Sequence, residues 1–154
     1  MQGEGVQKKF QWENSPVTHI EWSSDIELGH TEIDEQHKRL LMLGEDLAET
    51  PINPATNKPS DEQLQALIEF AQKHFTFEES LMRSTGYPGV AEHANFHNTL
   101  LAQLRTYCFR TQRGMHTDPV ALNSFFGHWI VPHIGSEDRD LVTWIKSRVP
   151  DDGR

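Results

Sequence analysis

The sequence predicts an all-α protein: an up-down-up-down four-helix bundle with an N-terminal arm and a short C-terminal helix. Three observations carry this expectation. Apolar residues recur at the 3.6-residue period in four separate stretches, each long enough for several turns. Clusters of Gly, Pro and Asn separate those stretches, and most of the connections are short, which favours antiparallel neighbours. No segment alternates apolar and polar residues over a strand's length, and no internal repeat is present.

Each element follows from local signals. Residues 1–20 show no sustained periodicity and are punctuated by Gly3, Gly5 and Pro16, so they read as an irregular extension with Trp12 against the body. Residues 21–148 form the bundle domain. Within it, 21–33 reads as an ordered arm with Trp22, Ile26 and Leu28 to bury. Thr31-x-x-Asp34 resembles a helix start, and the first helix runs to about Ala48. Pro51, Asn53, Pro54, Asn57 and Pro59 make a loop. Ser60-Asp-Glu-Gln63 has the form of a capping box and opens a second helix to about Ser84, which Gly86, Pro88 and Gly89 end. A third helix spans about Val90 to Gln112. Asp118-Pro119 is a cap and first-turn pair for the fourth, in which Pro132 introduces a kink and Gly135 an interruption. A last short helix through Leu141 and Trp144 stops before Pro150.

Composition narrows the function. At 154 residues the chain is one domain's worth. Its formal net charge of −9 argues against nucleic acid and anionic membranes as partners. No apolar run approaches the ~20 residues a membrane span needs, and the first residues do not resemble a signal peptide, so a cytoplasmic protein is expected. With Cys108 as the single cysteine there is no internal disulfide and no cysteine-based zinc finger.

The chemistry sits on the apolar stripes. His74 and Glu78 stand four residues apart, so on a helix they share one face. That face also carries Leu64, Leu67, Ile68, Ala71, Phe75, Leu81 and Met82 and ought to meet the core, where a carboxylate is costly unless paired or metal-bound. Taken alone, the pair reads better as a satisfied core histidine with a carboxylate beside it. The pattern recurs, however. His93 and His97 repeat the four-residue spacing, His37 leads Leu40, Leu41 and Leu47, and the fourth stretch brings His133 and Asp138. In a bundle these faces converge, bringing together five imidazoles and two carboxylates. The mixture suits iron, manganese or zinc, and carboxylates able to bridge suit a dinuclear centre. The five-residue spacing of His133 and Asp138 would turn Asp138 too far round a regular helix, so Pro132 or Gly135 is expected to distort the backbone there.

These residues resemble the hemerythrin family, specifically single-domain bacterial hemerythrins. The matching pieces are Trp22 ahead of Ile33-Asp-Glu-Gln-His37, then His74-Phe75-x-x-Glu78-Glu79-x-x-Met82, Tyr87 before His93-x-x-x-His97, and Trp129-x-x-x-His133-Ile134 with Asp138. The resemblance covers about residues 20–145. It implies a non-haem di-iron centre with a bridging hydroxide or oxide that binds O2 reversibly. One iron would take His93, His97 and His133, the other His37 and His74, with Glu78 and Asp138 bridging. The extension at 1–20 and Pro132 depart from the family's usual pattern.

Counting bonds on that ligand set leaves one open position, on the iron with two histidines, for O2. Phe75, Trp129, Ile130 and Ile134 are expected to wall it, with Ile130 as an apolar lid that excludes water and anions. Carriage, storage or delivery of O2 by a non-enzymatic monomer is the reading, with an O2-consuming protein as a conceivable partner. A di-iron O2 or nitric-oxide sensor or an iron-handling protein is the alternative, and a di-iron oxidase stands behind both, because paired helical Glu-x-x-His motifs are absent. His19, His30, His116 and His128 read as bystanders, Glu79 as a solvated charge, and Cys108 as a small core residue.

Overall fold

The computed structural model describes residues 22–49, 61–113 and 126–148. The described residues are all helical apart from turns and the arm, and contain no strand. Three regular helices come first: α1 (Thr31–Glu49), α2 (Asp61–Thr85) and α3 (Val90–Gln112). A fourth helical stretch, α4 (126–148), changes its winding along its length. A π-helical turn at Phe126–Ile130 leads into one α turn at Val131–His133, a second π-helical turn at Ile134–Asp138, and regular helix at Arg139–Arg148. The expected extension, the loop through Pro51 and Pro59, the Ser60 cap and the Asp118-Pro119 start lie outside the described residues.

The bounds of the first three helices match the periodicity to within a residue. Their ends have local causes. Gly86 adopts a left-handed φ of +68°, its N–H donates to Arg83 O at 3.3 Å, and the N–H of Tyr87 donates to Met82 O at 2.8 Å. This pair is a Schellman closure, and it satisfies carbonyls that the end of α2 would otherwise orphan. At the start of α1, the cap falls one residue earlier than expected. His30 Nδ1 accepts from the Ile33 N–H at 3.3 Å, and Asp34 reaches back instead, accepting from the N–H groups of Leu28 and Gly29 at 2.9 Å each. Asp34 thus ties the arm to α1.

The arm is held at its other side by α4. Arg139 donates to Asp25 O at 2.7 Å and Lys146 to Leu28 O at 3.0 Å, while Ile26 and Leu28 are buried as expected. Trp22 is only half-buried, with the Lys38 ammonium 5.1 Å from its ring centre. The core draws on every helix: Ile33, Leu40 and Leu47 from α1, Leu64, Leu67 and Met82 from α2, Leu100 and Leu104 from α3, Ile134, Leu141 and Val142 from α4. Cys108 joins it, and burial pushes its thiol pKa up to about 12.

The expected distortion of the fourth helix takes a definite form. Pro132 has no N–H to give and its ring collides with the carbonyl four residues back, so the turn before it cannot close as an ordinary α turn. The π-helical turn at Phe126–Ile130 precedes it. Beyond it, Gly135 does not interrupt the helix. The Ile134–Asp138 turn accommodates one extra residue, because i→i+5 pairing replaces i→i+4. The five-residue step from His133 to Asp138 thereby returns to the face it left.

Candidate metal centre

The seven ligand-type residues singled out in the sequence meet in one buried cluster. His37 comes from α1, His74 and Glu78 from α2, His93 and His97 from α3, and His133 and Asp138 from α4. None is more than 3% exposed. They fall into two overlapping groups, Glu78 with His93, His97, His133 and Asp138, and His37 with His74, Glu78 and Asp138; within each, the candidate ligand atoms lie within 4.8 Å of one another.

The two carboxylates belong to both groups, and each divides its oxygens between them. Glu78 Oε2 is 3.3 Å from His37 Nε2 and 3.1 Å from His74 Nε2, whereas Oε1 is 3.0 Å from His97 Nε2 and 3.7 Å from His93 Nε2. Asp138 Oδ2 is 3.1 Å from His37 Nε2, whereas Oδ1 is 2.8 Å from His93 Nε2 and 3.0 Å from His133 Nε2. All five histidines therefore aim the same nitrogen inward. The Nε2 atoms of His93 and His133 approach to 3.1 Å.

The outer nitrogens explain part of that order. His97 Nδ1 donates to Glu79 Oε2 at 3.0 Å and His74 Nδ1 donates to Gln36 Oε1 at 2.8 Å. A carboxylate oxygen only accepts, so Nδ1 of His97 carries the proton and its Nε2 lone pair points at the cluster. His133 has a looser neighbour, Glu137 Oε2 at 3.8 Å from its Nδ1, and is held instead by Phe96, whose ring lies parallel to the imidazole within 6° at 4.7 Å. Phe75 stacks on His97 in the same way, 4.2 Å between centroids.

Glu79 corrects the sequence reading. It does point away from the ligand face of α2, but that direction is toward α3, and its side chain is only 20% exposed. Gln36 and Phe96 are functional candidates that the sequence reading passed over, and Glu79 is one that it took for a solvated charge. Gln36 and Glu79 carry one usable signal: each polar residue directly follows or precedes a ligand, where it faces the next helix. Of the expected pocket wall, Phe75, Ile130 and Ile134 are buried. The side chain of Trp129 lies outside the described residues, as does that of His128.

Electrostatics favour a cation here. Burial works against any charge on these groups. It lowers the His37 pKa, yet the Asp138 and Glu78 carboxylates beside it push it up to about 9. Burial likewise opposes the charged form of His97, and Glu78 and Glu79 together raise its pKa. Glu78 resists both burial and the Asp138 charge, and the neighbouring His74 and His37 hold it well below the carboxylate range. Asp138 is likewise held well below its ordinary range, against burial, by His133, His37 and His93. Two fully buried carboxylates thus remain ionised. Glu78 Oε1, Asp138 Oδ2 and His97 Nε2, all at the cluster, lack hydrogen-bond geometry to any neighbour. Buried polar atoms without partners call for an explanation, and two adjacent cations between oxygens and imidazole nitrogens supply one. The donor set, imidazole and carboxylate without thiolate, fits iron, manganese or zinc.

Residues 28–145 match the hemerythrin HHE cation binding domain. The chain belongs to the hemerythrin family. It is 28% identical over 130 residues to a bacteriohemerythrin of Stenotrophomonas maltophilia (strain R551-3), covering 83% of this chain and 82% of that one. A bacteriohemerythrin of Ralstonia nicotianae (strain ATCC BAA-1114 / GMI1000) is 27% identical over 132 residues, 86% of this chain and 93% of its own. The myohemerythrin of Sipunculus nudus is 29% identical over 119 residues, 76% and 86% of the two chains. The family model spans all seven cluster residues. Among the described residues no helix is long and apolar enough to cross a membrane.

Proposed function

We propose that this chain binds O2 reversibly at a di-iron centre held by its seven clustered residues, for carriage, storage or delivery rather than turnover. His93, His97 and His133 would hold one iron, His37 and His74 the other, and Glu78 and Asp138 would bridge. The observation that carries this reading is the division of each carboxylate's oxygens between a three-histidine and a two-histidine group. The up-down-up-down course and a bundle domain over 21–148 belong to the same reading. Packing of α2 on α3 across the four-residue connection 86–89 supports the antiparallel course.

When bound, an iron pair supplies reversible two-electron chemistry toward O2. The chain's own residues do the rest. Glu79 and Gln36 fix the tautomers of His97 and His74, so the inner nitrogens offer lone pairs without reorganisation. Phe96 and Phe75 lock the planes of His133 and His97. The two-histidine group has one imidazole fewer, which leaves room on that side. Ile130, Ile134 and Phe75 bury apolar surface close to the histidines of α2 and α4 and keep bulk water from the cluster. Histidine-rich ligation leaves little space for an organic substrate, which favours binding over oxidation of a third molecule.

The test is a titration of purified protein with ferrous iron under argon, followed by absorption spectra under argon, in air, and under argon again. Two irons per chain with a colour change that air creates and argon reverses is the expected result. One metal per chain, or irreversible oxidation in each cycle, would overturn the reading.

A further inference from the structure

Tyr87 belongs to the motif but not to the cluster. The Schellman closure at Gly86 sets it rigidly between α2 and α3, and its ring lies across Gly89, where a Cβ would come within 2.9 Å of the ring. One edge meets the imidazole of His93, with centroids 6.5 Å apart and planes at 73°. Trp144 of α4 meets the same ring at 6.0 Å and 65°. The Trp144 indole N–H donates to Thr85 O at 3.1 Å, and the outer part of the half-buried indole reaches the surface under the Arg148 guanidinium, 3.8 Å away. An unbroken series of rings therefore leads from a cluster histidine to the surface.

The chemistry of that series is selective. Two other cluster histidines, His97 and His133, carry phenylalanine rings against them, and a benzene ring is too hard to oxidise to pass an electron. At His93 the neighbour is a phenol, and behind it stands an indole, the two aromatic side chains that one-electron oxidants attack. The phenol is half-buried, so the proton it loses on oxidation can pass to solvent.

We propose that Tyr87 and Trp144 form a one-electron path that carries oxidising equivalents from the metal centre to the surface and so spares the ligand histidines. The proposal rests on the iron reading above. Its oxidant is hydrogen peroxide acting where the irons are already oxidised. Cleaving the O–O bond to give two waters then takes two electrons and two protons, and the protein must supply the electrons. In each of two passes, Tyr87 gives one electron inward and its phenolic proton to solvent. It then regains an electron from Trp144 and a proton, and Trp144 is restored by one electron from a thiol in solution. Over both passes two thiols become one disulfide and release the two protons consumed.

Full-length protein is loaded with iron, its iron content measured, and a few equivalents of peroxide added with and without a thiol. Freeze-quenched electron paramagnetic resonance and peptide mass spectrometry then locate the oxidised residues. Oxidation is expected at Trp144 without thiol and to be suppressed with it. Tyr87→Phe keeps the packing but should abolish Trp144 oxidation and shift damage to His93 and His97. Trp144→Phe should leave a longer-lived tyrosyl signal at Tyr87. Trp144 oxidation that persists in Tyr87→Phe, or is equal in zinc-loaded protein, would overturn the path. Failure to take up iron is seen before peroxide is added; it overturns the functional reading and, with it, the source of oxidising equivalents.

Discussion

A buried carboxylate that serves two groups at once has no substitute, and that is the position of Glu78 and Asp138. Replacing Glu78 by Ala removes donors from both halves of the cluster and is expected to leave the protein folded but unable to hold two irons, as elemental analysis would read. Glu79 and Gln36 act through the histidines they orient. Their Ala variants should still load, with metal affinity weakened by roughly 10–100-fold, the usual cost of losing such a partner. A competition titration against a chelator checks this, and equal loss in the Glu78 and Glu79 variants would erase the distinction between ligand and orienting residue. At the apolar wall, Ile130 is 4% exposed. Ile130→Ser should admit water and speed autoxidation at unchanged iron content; an unchanged rate would remove Ile130 from the access route.

At the scale of the element, α4 shows how winding substitutes for spacing. Five residues on a regular helix overshoot a full turn by about 140°. The π-helical turn at Ile134–Asp138 absorbs that excess, so His133 and Asp138 face the same cluster. Deleting exposed Gly135 should let this turn close as ordinary α-helix with the two ligands four apart. The variant is expected to load two metals, and a folded variant that cannot load would show that the π turn sets more than phase. Glycine substitutions separate helix propensity from packing. A Cβ at Gly135 meets nothing within 4 Å, and Gly135→Ala should stabilise by up to about 1 kcal/mol. Gly44 is also helical, but a Cβ there falls 2.5 Å from the buried Phe126 ring. Gly44→Ala should therefore destabilise despite the same gain in propensity. Thermal unfolding of both variants tests the opposite signs.

For the whole molecule, the cluster makes stability depend on what neutralises its carboxylates. In the metal-free protein protonated imidazoles do so. His37 is raised from 6.5 to about 9, so its contribution is complete below 6.5 and is lost as pH rises through 9. Glu78 is lowered from its ordinary 4.5, so its contribution is complete above 4.5 and disappears as pH falls below that toward its depressed value. Metal-free protein should thus be most stable between 4.5 and 6.5. Loaded protein behaves oppositely on the acid side, because protons compete with metal for the same nitrogens. The gap between the two melting temperatures is therefore expected to widen from pH 6.5 to 9. A metal-free melting temperature that stays flat or rises over that range would contradict this account.

Local rules in the sequence determined the periodic stretches, the Gly86 stop and the ligand faces, because each depends on residues within a turn or two of one another. The seven converging side chains were legible for the same reason: an apolar stripe interrupted by His, Glu or Asp tells which way those groups must point. The Glu79 partnership was not legible, since its meaning depends on which helix lies 100° around from Glu78 and on His97 standing opposite. Nor was the form of the α4 distortion. Spacing and Pro132 announced that the helix must depart from α, but the choice of two π-helical turns over a kink or a break rests on tertiary demands. Asp138 has to reach the cluster while Ile130, Ile134 and Leu141 stay in the core, and only packing against the other three helices imposes both conditions together.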